Sequence, residues 1–174
     1  MNHDAYSDAY IRDILAQNRT IAMVGASANT SRPSYFAMKY LKQKGFAVIP
    51  VNPGQAGKEI LGEKVYASLA DIEQPIDIVD IFRSSDAALG ITREAIKMGA
   101  KVVWMQLGVR NDEAAKLAEE AGLKVVMNRC PKIEYGRLSG ELGWAGVNSR
   151  RLSSRRPILG PKGVQHRVLK TAGD

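Results

Sequence analysis

Apolar and polar positions recur with two different periods along the first 130 residues of this chain. Tyr6, Ala9, Tyr10, Ile14 and Leu15 fall at helical spacing, which predicts a short amphipathic helix from Tyr6 to Gln17. Thr20-Ile-Ala-Met-Val-Gly25 is a brief apolar run closed by glycine, the pattern of a strand buried on both faces. Pro33 suits the first turn of a helix, where its missing N–H costs nothing. That helix continues from Tyr35 to Lys44 and stops at Gly45. Phe46 to Val51 is the second predicted strand, closed by Asn52-Pro53-Gly54. The stretch from Gly57 to Ser68 reads as a crossing loop with a short extended piece. Ile76–Phe82 follows as a strand, Asp86–Met98 as a helix and Lys101–Leu107 as a strand. Asn111–Ala121 is a helix with Gly122 at its stop, and Leu123–Met127 is the fifth strand.

Strands alternating with helices imply parallel βαβ units joined by right-handed crossovers. The expected architecture is a single Rossmann-like, doubly wound α/β domain over residues 1–140, with a five-stranded, mainly parallel sheet. Ligands of such sheets bind at the carboxyl ends of the strands, near the switch point of the topology. The places to search are therefore Gly25-Ala26-Ser27, Asn52-Pro53, Phe82-Arg83, Gln106-Leu107-Gly108 and Asn128-Arg129-Cys130. Each contains a glycine, a small polar residue or a cation.

Composition adds compartment and charge. The 174 residues suit one domain, and 45% hydrophobic with 25% charged residues is ordinary for a globular protein. No run approaches the roughly 18 consecutive apolar residues of a membrane span, and Met1-Asn2-His3-Asp4 lacks the features of a signal peptide. The lone Cys130 makes a reducing cytoplasm the expected compartment. The formal charge of +7 is unevenly spread. Residues 1–149 hold 18 basic and 17 acidic side chains, while residues 150–174 hold seven basic ones and Asp174 alone. With Pro157, Gly160, Pro161 and Gly163, residues 141–174 read as a basic, flexible extension. Such a tail could hold nucleic acid or an acidic partner, but a solvated, solubilising end is the simpler expectation.

The first loop carries the most chemistry. A glycine directly after a strand lets backbone approach a phosphate, and the next helix offers free N–H groups and a positive dipole end. Gly25 to Ser34 lacks the second and third glycines of G-x-G-x-x-G. The second strand ends in Asn52, not in the acidic residue that grips the ribose of a nicotinamide dinucleotide. The hydroxyl-rich loop with Arg32 suits a bulkier phosphorylated ligand. A ribose bearing a 3′-phosphate, as in coenzyme A, would repel a carboxylate at position 52 and tolerate an amide.

Seven segments in order then resemble one family. They are Ile21–Ser27, Arg32–Tyr35, Ile49–Pro53, Gly62–Tyr66, Val79–Arg83, Trp104–Gly108 and Asn128–Glu134. Together, over roughly residues 8 to 138, they resemble the small stand-alone coenzyme A-binding proteins. These are similar to the N-terminal coenzyme A-binding domain of the succinyl-CoA synthetase α subunit. The resemblance implies that Gly25, Ala26, Ser27, Arg32 and Ser34 hold the pyrophosphate, and that Asn52 and Pro53 line the adenosine side. It puts Phe82 and Arg83 against the coenzyme and Gln106, Leu107 and Gly108 beside the pantetheine arm. Asn128, Cys130 and Lys132 close the far side. Gly54-Gln55 departs from the synthetase domain, which has a coenzyme-contacting lysine there. The synthetases also use a phosphorylated histidine from a second domain, whereas this chain has only His3 and His166, one in each terminal segment. Ligase chemistry by this chain alone is not expected.

The leading expectation is therefore a non-catalytic carrier or sensor of coenzyme A or an acyl-CoA, as a monomer or homodimer without membrane attachment. The alternatives are a small NAD(P)-dependent oxidoreductase, or nucleic-acid or partner binding through the basic tail. Cys130, beside Arg129 and Lys132, could form a mixed disulfide with the coenzyme thiol, although a small buried hydrophobe is the simpler reading. Asp77 and Asp80 should point to opposite faces of a strand, and Glu119 and Glu120 belong to a solvated helix face, so neither pair builds an acid/base site. Trp104 and Tyr135 could stack on adenine, although core positions are commoner for large aromatics. No cluster has metal-ligand spacing. Replacing Gly25 by valine is expected to abolish binding and leave the fold intact.

Overall fold

A computed structural model of the chain describes residues 1–141. The elements are α1 (Asp8–Gln17), β1 (Thr20–Val24), α2 (Pro33–Gln43), β2 (Ala47–Val51), β3 (Glu59–Ile60), β4 (Glu63–Lys64), β5 (Ile78–Ile81), α3 (Ser85–Lys97), β6 (Val102–Met105), α4 (Asp112–Glu120), β7 (Lys124–Val126) and α5 (Pro131–Ser139). Short 3-10 turns lie at Pro53–Gln55 and Leu69–Asp71. By their contacts the residues fall into two units, Asn18–Cys130 and Met1–Gln17 with the chain from Pro131 onward. Nearly all of the basic extension, His166 included, lies outside the described residues.

The unit Asn18–Cys130 is built on a five-stranded sheet in the order β2-β1-β5-β6-β7. Every neighbouring pair is parallel, so the sheet is wholly rather than mainly parallel. All four residues of β5 and of β6 are buried, which explains why these strands read as unbroken apolar runs. Successive side chains alternate between faces. Ala22, Ile49, Val79, Ile81, Val103, Met105 and Val125 pack in one cluster with Ala88 and Ala95 of α3 and Ala114, Ala115 and Ala118 of α4. Alanines on the helices let them lie close to the branched strand side chains. Each fully buried valine or isoleucine stabilises the unit by about 1.5–3 kcal/mol. The other face carries Ile21, Met23, Ile78, Asp80, Val102 and Trp104, all buried, and α2 packs on β2.

Three departures from the sequence-based expectation have local causes. Helix α1 begins at Asp8, not Tyr6, because the Ser7 hydroxyl accepts the Tyr10 N–H at 3.2 Å and caps the first turn. The stretch Gly57–Ser68 is ordered as an antiparallel hairpin, β3 with β4, whose tip holds Leu61 and Gly62 at φ 52° and 80°. Lys42 of α2 donates to the Leu61 carbonyl at 2.7 Å and so fastens that tip. Helix α5 leaves no periodic mark in the sequence. It buries Pro131, Glu134, Tyr135, Gly136 and Ser139, a set too polar to show an apolar stripe.

In the second unit α1 buries Ile11, Ile14 and Leu15 and packs with α5. Arg137 joins the two helices, donating to Asp8 at 2.9 Å and to Glu134 of its own helix at 2.6 Å. His3 Nδ1 lies 2.9 Å from the Tyr6 hydroxyl, and Tyr6 stacks on Tyr10.

Candidate functional site

The chain runs outward from β1 to β2 and then returns to place β5 on the other side of β1, so the topology switches between β1 and β5. Gly25 stands at that point, at φ +92°, with its N–H donating to the Val51 carbonyl at 2.8 Å. A Cβ on Gly25 would lie 2.4 Å from the Phe82 carbonyl oxygen and 2.9 Å from Arg83 Cδ. Glycine is thus required by the close approach of two loops as well as by its backbone angle. The expectation that Gly25→Val would leave the fold intact is overturned by this geometry.

The loop after Gly25 is held from the β2 side. Asn52 Nδ2 donates to the Ala26 carbonyl at 2.7 Å, and Asn52 Oδ1 accepts the Gly54 N–H at 3.0 Å. Gln55 Oε1 accepts the Ala28 N–H at 3.1 Å. Within the loop, Ser27 Oγ accepts from Asn29 N, and Asn29 Oδ1 accepts from Ser31 N and Oγ. The loop then enters α2 through Arg32, whose own side chain makes no cap, and Pro33. Arg32 is exposed, whereas Ser34 is buried in the first turn. An exposed guanidinium and a helix N-terminus therefore flank a loop whose shape is set in advance.

Across the switch point, the ends of β5, β6 and β7 are tied in turn. Gln106 N donates to Ile81 O at 3.3 Å, and Arg129 N to Met105 O at 3.3 Å. Gly108 N donates to Asn128 Oδ1 at 2.8 Å, with Asn128 itself at φ 52°, a backbone angle that asparagine tolerates better than most residues. Ser85 at the start of α3 accepts from Arg110 N at 3.0 Å with Oγ, and its carbonyl accepts from Asn111 Nδ2 at 3.0 Å. Asn111 also caps α4 through Ala114 N at 2.8 Å. Beneath these loops the fully buried Asp80 carboxyl receives Gln106 Nε2 on both oxygens, at 2.9 and 3.1 Å. Burial pushes the Asp80 pKa up to about 8, against the opposing donation from Gln106.

Of the residues singled out from the sequence, Gly25, Ala26, Asn52, Phe82 and Arg83 meet around the switch point. Gln106, Gly108 and Asn128 are joined in the second group. Ser27 is half-buried, and Pro53, Leu107 and Gly108 are exposed. Both polar ends of Asn52 are committed to backbone, so it acts by shaping the loop. Cys130 is partly exposed, not buried. Lys132 lies in the first turn of α5 and belongs to the other unit. Trp104 and Tyr135 are fully buried, so neither offers a face to a base, and Trp104 Nε1 is spent on Arg129 O at 2.8 Å. Gln55, Ser85 and Asn111 escaped sequence reading because their role is to hold backbone, which no residue spacing announces.

Asp77 lies at the opposite edge of the sheet, one residue before β5. Its Oδ2 accepts the N–H groups of Arg19 and Thr20 at 2.9 and 3.0 Å, and its Oδ1 pairs with Lys101 at 2.7 Å. Partial burial raises its pKa, but Lys101 and the two N–H donors outweigh it, and the net shift is downward. No set of three or more His, Cys, Asp or Glu suited to a metal ion occurs among the described residues. Nor is any described helix long and apolar enough to cross a membrane.

A wholly parallel doubly wound sheet with its polar loops gathered at the carboxyl edge defines a Rossmann-like α/β domain. The chain belongs to the CoA binding domain family, whose model matches residues 19–136. It is 39% identical over 129 residues to the Bacillus subtilis protein YneT, covering 74% of this chain and 94% of that one. It is also 32% identical over 83 residues to the ADP-forming acetate–CoA ligase of Methanocaldococcus jannaschii, a match spanning 48% of this chain but only 12% of the ligase. Among solved structures, a hypothetical protein from Pyrococcus horikoshii is 44% identical, with a TM-score of 0.75 over 79% of this chain and 96% of that one. The dinucleotide-forming acetyl-coenzyme A synthetase 1 of Ca. Korarchaeum cryptofilum is 25% identical, with a TM-score of 0.58 over 67% of this chain and 28% of that one.

Proposed function

We propose that this chain binds coenzyme A or an acyl-CoA along the carboxyl edge of its sheet, as a non-catalytic carrier or sensor in the cytoplasm. The observation that carries the reading is the Gly25–Ser34 loop, braced by Asn52 and Gln55 and opening beside the exposed Arg32. A braced loop loses little entropy when a phosphate docks on it, and backbone N–H groups with a guanidinium provide the complementary charge. Membership of the coenzyme A-binding family supports the same ligand. In this reading Gly25, Ala26, Ser27, Arg32 and the first turn of α2 at Ser34 take the pyrophosphate. Asn52 and Pro53 shape the adenosine side, with an amide that leaves room for a 3′-phosphate. Phe82 and Arg83 lie against the coenzyme, while Gln106, Leu107 and Gly108 flank the pantetheine arm up to Asn128 and Cys130. The acetate–CoA ligase of Methanocaldococcus jannaschii matches this region over 12% of its own length, which supports a coenzyme-handling role for the stretch. Residues 141–174 would add a basic, solubilising extension.

Thermal unfolding with coenzyme A, dephospho-coenzyme A, NAD, NADP and ATP in parallel tests the reading. A ligand at 100 times its dissociation constant adds about 2.7 kcal/mol of stability. Stabilisation by coenzyme A that weakens without the 3′-phosphate is the expected result. Stabilisation by NAD or NADP in its place would overturn it and turn attention to oxidoreductase chemistry.

A further inference from the structure

Among the loop ends at the carboxyl edge, one side chain stands out for the atom it leaves open. Gln106 is only 5% exposed, directly after β6 and next to the exposed Leu107 and Gly108. Its Nε2 is held by Asp80, and its backbone N–H and carbonyl are bonded to Ile81 O and Val109 N. Its Oε1 has no hydrogen-bond partner among the described residues. Thr92 Oγ1 is the fully buried side-chain polar atom left unpaired among those residues, so Gln106 Oε1 must reach solvent. An amide that is nine-tenths buried, clamped at its nitrogen and open at its oxygen presents one fixed acceptor to the loop ends.

Asp80 is what fixes it. The carboxyl is fully buried, with Met23 of β1 and Trp104 of β6 as its register neighbours, and neither carries a titratable group. A buried carboxyl is costly unless something requires it. Here both of its oxygens lie against one amide nitrogen, at 2.9 and 3.1 Å, and the carbonyl oxygen that can accept from Nε2 is present in either protonation state. We infer that Asp80 is a positioning residue, holding the Gln106 amide with its oxygen outward to accept an N–H from the secondary amides of a pantetheine arm. The pair would thereby separate coenzyme A from adenosine phosphates that lack the arm. This rests on the coenzyme A reading above and assigns to the pair the discrimination that the phosphate loop cannot make.

The test compares binding of coenzyme A with that of adenosine 3′,5′-bisphosphate, which keeps a 3′-phosphate and lacks the arm, by titration calorimetry on the full chain. In Gln106→Ala, coenzyme A is expected to bind about tenfold more weakly while the bisphosphate is unaffected, the size of one partly buried hydrogen bond. Asp80→Leu keeps the core filled but frees the Gln106 amide, and is expected to lose the same selectivity. Adding Gln106→Ala to it should then cost nothing more. Asp80→Asn, whose carbonyl oxygen can still accept from Nε2, is expected to restore the discrimination. A purely structural Asp80 would move both ligands together. Should Asp80→Leu not fold, the smaller Asp80→Ala takes its place in the same comparison, with Asp80→Asn as its rescue, and the Gln106→Ala ratio decides whether the amide meets the arm. Equal effects of Gln106→Ala on both ligands, or none on either, would overturn this inference and leave the coenzyme A reading standing. If the unaltered protein binds neither ligand, both fall.

Discussion

Asp77 and Asp80 are three residues apart in the chain and stand at opposite edges of the sheet, under opposite physical rules. At the amino edge, Asp77 stays charged because each oxygen meets a donor, two from the start of β1 and one from Lys101. At the carboxyl edge, Asp80 sits in a dry setting with a single amide for company, and its acidity falls accordingly. The amino edge is matched for stability. The carboxyl edge keeps a polar group whose cost no local contact offsets in full, which is where ligand recognition is to be sought.

The comparison can be broken first at Gly25. Gly25→Val imposes a β-branched residue at φ +92° and a Cβ 2.4 Å from Phe82 O. We expect a loss of more than about 4 kcal/mol in denaturant unfolding, enough to abolish the cooperative transition in a marginal domain. A stable Gly25→Val protein would show that the two loops can part without cost.

Next in size is the response of Asp80 to pH. Its folded pKa of about 8 lies above the ordinary 3.8, so its contribution to stability is full below pH 4 and is lost as pH rises to 8. Asp80→Asn removes that loss. Its melting temperature should exceed that of the wild type at pH 9 by on the order of 10 °C, the gap closing toward pH 4. A constant gap at all pH values would mean that Asp80 does not titrate in this window.

Asp77 should behave with the opposite sign. Its pKa is lowered on folding, so its contribution is present above pH 4 and is lost as acid protonates it. Asp77→Ala is expected to cost about 2 kcal/mol at pH 7 in urea unfolding, because it orphans the N–H groups of Arg19 and Thr20. That cost should shrink as the pH is lowered below 4. The smallest structural effect belongs to Arg32. Being exposed and uninvolved in capping, Arg32→Ala should leave stability within about 0.5 kcal/mol. It should nevertheless weaken coenzyme A several-fold, with a shallower dependence on salt in a titration series.

The strands were legible because a parallel sheet buried on both faces writes itself as runs such as Ile78–Ile81 and Val102–Met105. The glycine at 25 could be read too, as a turn where backbone can approach a phosphate; its contact with Phe82 depends on which strand lies beside β1, and spacing does not reveal strand order. Helix α5 was hidden because Glu134, Gly136 and Ser139 are buried where apolar residues would have been expected. The Asp80–Gln106 pair was invisible for a related reason. The two residues lie 26 positions apart, and only the pairing of β5 with β6 makes them neighbours. Gln55 departs from the synthetase domain's pattern, yet its bond to Ala28 gives that position a bracing role of its own.

The bond between Arg137 and Asp8 spans 129 positions, the longest reach of any side-chain bond described above. During synthesis Asp8 leaves the ribosome long before Arg137 has been translated. The unit from Asn18 to Cys130 is one continuous stretch, whereas the unit holding α1 has to await the residues from Pro131 onward. Helix α1, which buries Ile11, Ile14 and Leu15, is therefore without its α5 partner until the whole sheet has been translated. A premature stop before residue 131 would leave α1 without that partner for good.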